Sequence, residues 1–142
     1  MITKRNQVKL IDYGTCKELE NPNTETLIGI PYYLAPEIAK REPYNMKCDI
    51  WSLGVILYYM VTKTYPIKAK NTKKLMSKIA TKERIGDKKW NDQNINKQTK
   101  HLIKQMLQVN PDRRFGIRQV LKHPFFVEPN SEFEEEEDEE ED

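Results

Sequence analysis

Residues 49–61 read DIWSLGVILYYMV, and this stretch decides the fold. Its apolar side chains run all round a helical wheel instead of forming one stripe, the pattern of a helix buried on most sides. At 13 residues it falls short of the roughly 20 that a bilayer demands. Such a helix needs partners on several faces, and the flanking sequence offers them. Thr64-Tyr65-Pro66 ends it. Residues 71–80 then form an amphipathic helix with Leu75, Met76 and Ile79 on one face. Asn96 has the chemistry of an N-cap for a third helix, 97–109, which carries Leu102, Ile103, Met106 and Leu107 at helical spacing. Asn110-Pro111 stops it, and a last helix over about 117–121 precedes His123-Pro124-Phe125-Phe126.

Toward the N-terminus, Pro43 and Asn45 break the pattern, and Ala35-Pro36-Glu37 opens a short helix to about residue 41, with Pro suited to a first turn. Residues 15–34 keep no period and read as an extended loop; loops of that length inside a domain are usually functional or disordered. Val8-Lys9-Leu10-Ile11 is a short strand pattern that stops at Asp12-Tyr13-Gly14. The expectation is one mainly α domain over residues 1–130 and a disordered acidic tail over 131–142.

Charge supports that division. The chain has 24 Lys and Arg against 22 Asp and Glu, a net charge of +2, yet residues 131–142 (SEFEEEEDEEED) hold ten of the acids and no base. The body is therefore +12 and the tail −10, a pairing that lets the tail cover the body in a salt-sensitive way. Residues 63–104 hold 13 bases and 3 acids, but apart from Tyr65 at the helix end Trp90 is their one aromatic platform for stacking bases, so nucleic acid is not the expected partner. Met1-Ile2-Thr3-Lys4-Arg5 lacks the apolar core of a secretory signal. Two cysteines, Cys16 and Cys48, make no disulfide framework, and no Cys/His cluster has zinc spacing. A reduced, cytoplasmic protein without a membrane span is expected.

Three motifs then fall in order. Asp12-Tyr13-Gly14 follows a strand pattern, Ala35-Pro36-Glu37 begins 23 residues after Asp12, and Asp49-Ile50-Trp51-Ser52-Leu53-Gly54 comes next. With TLIGIPYYLAPE between them and Pro111-Asp112-Arg113-Arg114 beyond, residues 7–127 resemble the C-terminal lobe of a eukaryotic Ser/Thr protein kinase. The part resembled is the activation segment plus the helical base. Residues 9–17 and Arg114-Phe115-Gly116 look most like the AGC group, the cyclic-nucleotide-dependent kinases and their relatives. DIWSLGVILYYMV and HPFF look equally like calmodulin-dependent kinases.

The resemblance implies roles for particular residues. Asp12 would hold Mg²⁺ against the phosphates of ATP, because a hard cation wants carboxylate oxygen. Gly14 would give the backbone freedom that aims it. Tyr13 stands where Phe is usual, and its hydroxyl needs a partner or water. Thr26 lies at the activation-loop phosphorylation position, with Thr24 as a neighbour and Lys17 as one matching base; an unmodified hydrophilic Thr is the other reading. Glu37 and Arg114 would form a buried ion pair. Asp49 would accept hydrogen bonds from catalytic-loop backbone, and Trp51 is core. Ile30, Pro31 and Tyr33 would belong to the substrate loop. His101 and His123 stand alone in sequence and read as structural, and Cys48 reads as a small buried hydrophobe.

The residues also depart from the family. No G-x-G-x-x-G occurs in the 142 residues, and the ATP-contacting Lys, its Glu partner and the H-R-D-x-x-x-x-N loop would lie before Asp12. The general base is therefore absent, and the chain alone is expected to be inactive, with Met1 marking a start inside a longer gene. A parent protein would use ATP and Mg²⁺, act on protein substrates and carry room for an upstream regulatory domain. Ile30 replaces the Thr usual in that loop and cannot hydrogen-bond, which keeps open a pseudokinase or helical binding module. A basic helical domain binding an acidic polymer is the remaining alternative. The all-round apolar helix would lack cover on one side, so a molten or aggregation-prone chain is expected.

Overall fold

The apolar stretch forms helix α2, Lys47–Thr62, in a computed structural model that describes residues 1–11, 13, 31–81 and 95–126. Its start is set by Asn45, whose side-chain oxygen accepts the Lys47 amide at 2.9 Å. Its end is set by Lys63, which turns left-handed at φ 54° and sends its N–H back to the Tyr59 carbonyl at 2.7 Å. That position usually takes Gly, because a Cβ clashes there. The helix therefore stops on Lys63, before the expected Thr64-Tyr65-Pro66.

Among the described residues four further helices accompany it. A 3₁₀ turn, Pro31–Tyr33, leads into α1, Pro36–Ala39, with Pro36 in its first turn. Arg41 closes α1 in the left-handed region at φ 60°, with Arg41 N–H on Ile38 O and Glu42 N–H on Glu37 O, the paired bonds of a Schellman motif. Helix α3 is Thr72–Thr81 and buries Leu75 and Ile79. Helix α4 is Lys97–Met106, capped by the Asn96 side chain, which accepts the Thr99 N–H at 2.7 Å. It ends three residues before the expected 109: the Gln105 carbonyl, which would take the Val109 N–H in a continued helix, accepts the Phe115 N–H at 3.2 Å. Helix α5 is Ile117–Leu121.

Two apolar clusters share α2 and α4. Trp51, Val55 and Tyr58 of α2 join Ile103 and Leu107 with Leu75 and Ile79 of α3; Ile50 joins Leu102, Met106 and Val120 on the other side. Gly54 lets the two helices touch. A Cβ there would lie 2.9 Å from Met106 Cβ and 3.0 Å from Leu107 Cδ2, inside any real contact.

The strand expected over 8–11 is not formed among the described residues. Ile2 and Val8 make a single antiparallel bridge around a turn in which Asn6 takes φ 59°. Leu10 and Ile11 are exposed. A two-period pattern specifies a face, but a strand also needs a neighbour to pair with, and the described residues supply none past that bridge. The described fold is accordingly mainly α. Asp12, Gly14, Cys16, Lys17, Thr24, Thr26, Ile30, Trp90 and the acidic run 131–142 lie outside the described residues. Within the described residues no helix is long and apolar enough to cross a membrane.

Candidate functional site

Helix α1 exists to present Glu37, and the turn after α4 exists to present Arg114. The two side chains meet across 77 residues of sequence as a two-pronged pair: Nη1 on Oε1 at 2.7 Å and Nη2 on Oε2 at 2.9 Å. Both are buried, at 3% and 1% exposure. Burying two charges is costly unless every lone pair and proton finds a partner. Here Arg114 uses all five of its donors. Besides Glu37, Nε reaches Gln108 O at 2.9 Å, Nη1 reaches Lys47 O at 2.9 Å, and Nη2 reaches Val109 O at 3.3 Å. The guanidinium carbon also lies 5.2 Å above the Trp51 ring, a cation–π contact. Lys47 adds a second tie, its ammonium donating to Pro111 O at 2.9 Å. One charged hub thus joins α1, the start of α2 and the turn after α4.

The 3₁₀ turn is held by a different chemistry. Ser52 Oγ of α2 donates to Tyr33 O at 2.8 Å. Tyr33 and Tyr65 hydroxyls lie 3.3 Å apart, Tyr32 stacks on Tyr65 at 4.2 Å between centroids, and Tyr59 tilts against it at 4.9 Å. Pro31 and Tyr33 are half-buried. The tyrosine cluster docks the end of the expected substrate loop onto the C-terminal half of α2. The Tyr65 phenol is pushed up, first by its bond to Tyr33.

Other expected residues fall as follows. Trp51 is core, at 1% exposure. Asp49 is exposed in the first turn of α2, where the Cys48 thiol lies 3.8 Å from its carboxylate. Cys48 is half-buried against the larger apolar cluster, and burial pushes its thiol up to about 11, so it stays protonated and inert. Tyr13 is exposed, and its hydroxyl donates weakly to Leu10 O at 3.5 Å. His101 and His123 are not solitary as expected: their ring nitrogens are 2.8 Å apart. Among the described residues no three His, Cys, Asp or Glu side chains gather as a metal site. The donor expected for Mg²⁺, Asp12, lies outside them, as does Gly14, and the described residues by themselves fit neither Mg²⁺ nor a nucleotide.

Sequence reasoning missed Lys47, Ser52, Tyr65 and the histidine pair. An aromatic-rich PYY before α1 and YY inside α2 was the available signal for the tyrosine cluster. Lys47 and Ser52 act on backbone carbonyls, which leave no mark in a sequence.

A helical base closed by a carboxylate–guanidinium hub between an A-P-E helix and the turn before α5 is a protein-kinase arrangement. The chain belongs to the protein kinase domain family: the family model of that description matches residues 1–126. It is 39% identical over 125 residues to the serine/threonine-protein kinase apg-1 of Neurospora crassa, covering 86% of this chain and 13% of that protein. It is 36% identical over 125 residues to calcium-dependent protein kinase 5 of Plasmodium falciparum, covering 87% and 22%. Human serine/threonine-protein kinase Nek5 is 39% identical over 119 residues, covering 82% and 16%. The chain thus spans between 13% and 22% of these relatives' lengths. Among solved structures, the twitchin kinase region of C. elegans superposes with a TM-score of 0.62 at 26% identity, over 70% of this chain and 18% of that one. These relatives do not support the AGC likeness expected from residues 9–17, since calcium-dependent and Nek kinases stand among them.

Proposed function

We propose that the chain is the helical base of a Ser/Thr protein kinase, a part that positions the activation segment and contributes one metal ligand but transfers no phosphate alone. The observation that carries this is the buried Glu37–Arg114 hub, which ties A-P-E to the helical base. In a full kinase domain, ATP and Mg²⁺ supply the phosphoryl group and the charge neutralisation it needs. Asp12 would hold the metal and Gly14 would shape its turn. Thr26, when phosphorylated, would order the segment that Pro31, Tyr33 and Tyr65 dock onto α2. The general base would come from a segment before Asp12. We place the unit at residues 1–130 with 131–142 as an appendage, and its substrates are protein Ser/Thr.

Ile30 favours a second reading, a pseudokinase, because an isoleucine cannot tie the substrate loop to the base. One experiment separates the two. Residues 7–127 are joined to the upstream half of the Nek5 kinase domain, and ³²P transfer from Mg·ATP to a mixed protein substrate is measured. Transfer abolished by Asp12→Asn supports the kinase reading. A folded chimera that is silent until Ile30→Thr restores transfer supports the pseudokinase. A folded chimera silent with and without that change overturns the proposed role.

A further inference from the structure

His101 of α4 and His123, just past α5, meet edge to edge. Nδ1 of His101 and Nε2 of His123 are 2.8 Å apart, and the rings are nearly parallel, with centroids at 5.1 Å and planes 17° apart. His123 is buried, at 6% exposure, while His101 reaches the surface. Phe115 lies against both rings, at 6.3 and 6.4 Å. The other nitrogen of His123, Nδ1, is 3.1 Å from the Phe125 backbone N.

These contacts determine where the protons sit. A backbone N–H can only donate, so His123 Nδ1 accepts, and the proton of the neutral ring is on Nε2. Nε2–H then donates to His101 Nδ1. His101 must carry its own proton on Nε2, where the Gln105 amide lies 3.4 Å away and presents its oxygen when turned about its last bond. The neutral pair satisfies every one of these groups. No singly protonated pair does. A proton on His123 Nδ1 faces the Phe125 N–H. A proton on His101 Nδ1 faces the His123 Nε2–H, and shifting that hydrogen to Nδ1 again confronts Phe125.

We propose that this pair is a proton-operated latch: neutral, it fastens the turn at residues 123–126 to α4, and one added proton unfastens it. The segment released carries Phe125 and Phe126, packed edge to face at 4.9 Å and partly exposed. The surroundings favour the neutral state. The charged groups on the elements packed around the pair are Lys97, Lys100 and Lys104 of α4, Asp112, Arg113 and Arg114 of the following turn, and Arg118 and Lys122 of and after α5. Asp112 is their one acid, and it is exposed. Burial, and then the neighbouring His101, hold the His123 imidazole below its ordinary 6.5. With the folded value lowered, the unfolded chain takes up the proton first as pH falls. The stabilisation is present above the ordinary imidazole value and is lost as pH drops from there toward the folded value.

Long-range ¹⁵N NMR on the full chain tests this directly, at low and at high salt so that the acidic run is screened in one arm. Expected are a neutral His123 protonated on Nε2, and a Phe125 amide whose exchange protection falls at least about tenfold, or about 1.4 kcal/mol, as the pair takes up its first proton. His123→Asn, whose side-chain oxygen can still accept the Phe125 N–H, is expected to leave that amide insensitive to pH. A neutral His123 protonated on Nδ1, or a Phe125 amide unchanged while both imidazoles titrate, overturns the latch.

Discussion

On one side of α2, Trp51, Val55 and Tyr58 are no more than 3% exposed and look onto Arg114, α3 and α4. On the other, Leu53, Ile56 and Met60 are 43%, 44% and 60% exposed, and their spacing puts them along one helical face. Both sides are equally apolar in sequence. The packed side is closed by a charged hub with every donor satisfied, whereas the open side has apolar atoms and nothing described across from them. Helix α2 thus has more apolar surface than the other described residues cover. Each such side chain, fully covered, would add roughly 1.5–3 kcal/mol.

The packed side breaks most readily at its hub. Arg114→Met leaves Glu37 as a lone buried carboxylate and strands the carbonyls of Lys47, Gln108 and Val109. Removing one member of a buried pair costs about 3–5 kcal/mol, a large part of a domain's total. Urea titration is expected to show no cooperative transition for this variant. Glu37→Gln is expected to be milder, because the guanidinium keeps its three carbonyls. Equal loss from both would mean that the ion pair alone, without the carbonyl fan, closes this side.

Next in size is the α2–α4 contact. In Gly54→Ala the new methyl meets Leu107 Cδ2 and Met106 Cβ, and the latter is fixed to the α4 backbone and cannot swing clear. Overpacking of this kind costs about 1–3 kcal/mol, read as a lowered urea midpoint with an unchanged slope. A neutral substitution would show that α4 slides along α2 freely.

How much of this was legible depended on whether the signal was periodic or paired. Helix α2, the Asn96 cap and α5 follow from side-chain pattern, which acts locally. Glu37 and Arg114 were legible as partners through the family likeness alone, since nothing in their own neighbourhoods links residues 77 positions apart. The carbonyl partners of Arg114 were hidden because backbone groups are the same in every residue. Val8-Lys9-Leu10-Ile11 misled, since alternation says which face is apolar and not whether a neighbouring strand exists. His101 and His123 each looked solitary because their meeting is made by the α4–α5 turn.

Lys63 sharpens the comparison at the end of α2. Its left-handed backbone strains any side chain, and the gain from Gly there is offset in part by the freedom Gly has when unfolded. Lys63→Gly is expected to stabilise by about 0.5–1 kcal/mol, measured as a raised urea midpoint. Destabilisation would mean that the lysine stem contributes packing beyond its cap.

The smallest effect is the most diagnostic. Ile56→Lys adds a charge to a position already 44% exposed, so in the chain alone it is expected to move stability by less than about 0.5 kcal/mol. Light scattering should show less self-association, because an apolar stripe left open by the described residues can be covered by other copies. In the Nek5 chimera the same lysine would face apolar atoms of the added half, and the cost rises to that of burying an unpaired charge. The contrast between the two settings, not either value, measures the missing cover. An equal and large cost in both would show that α2 already packs on that side, and the open face would have to be read as part of the existing core.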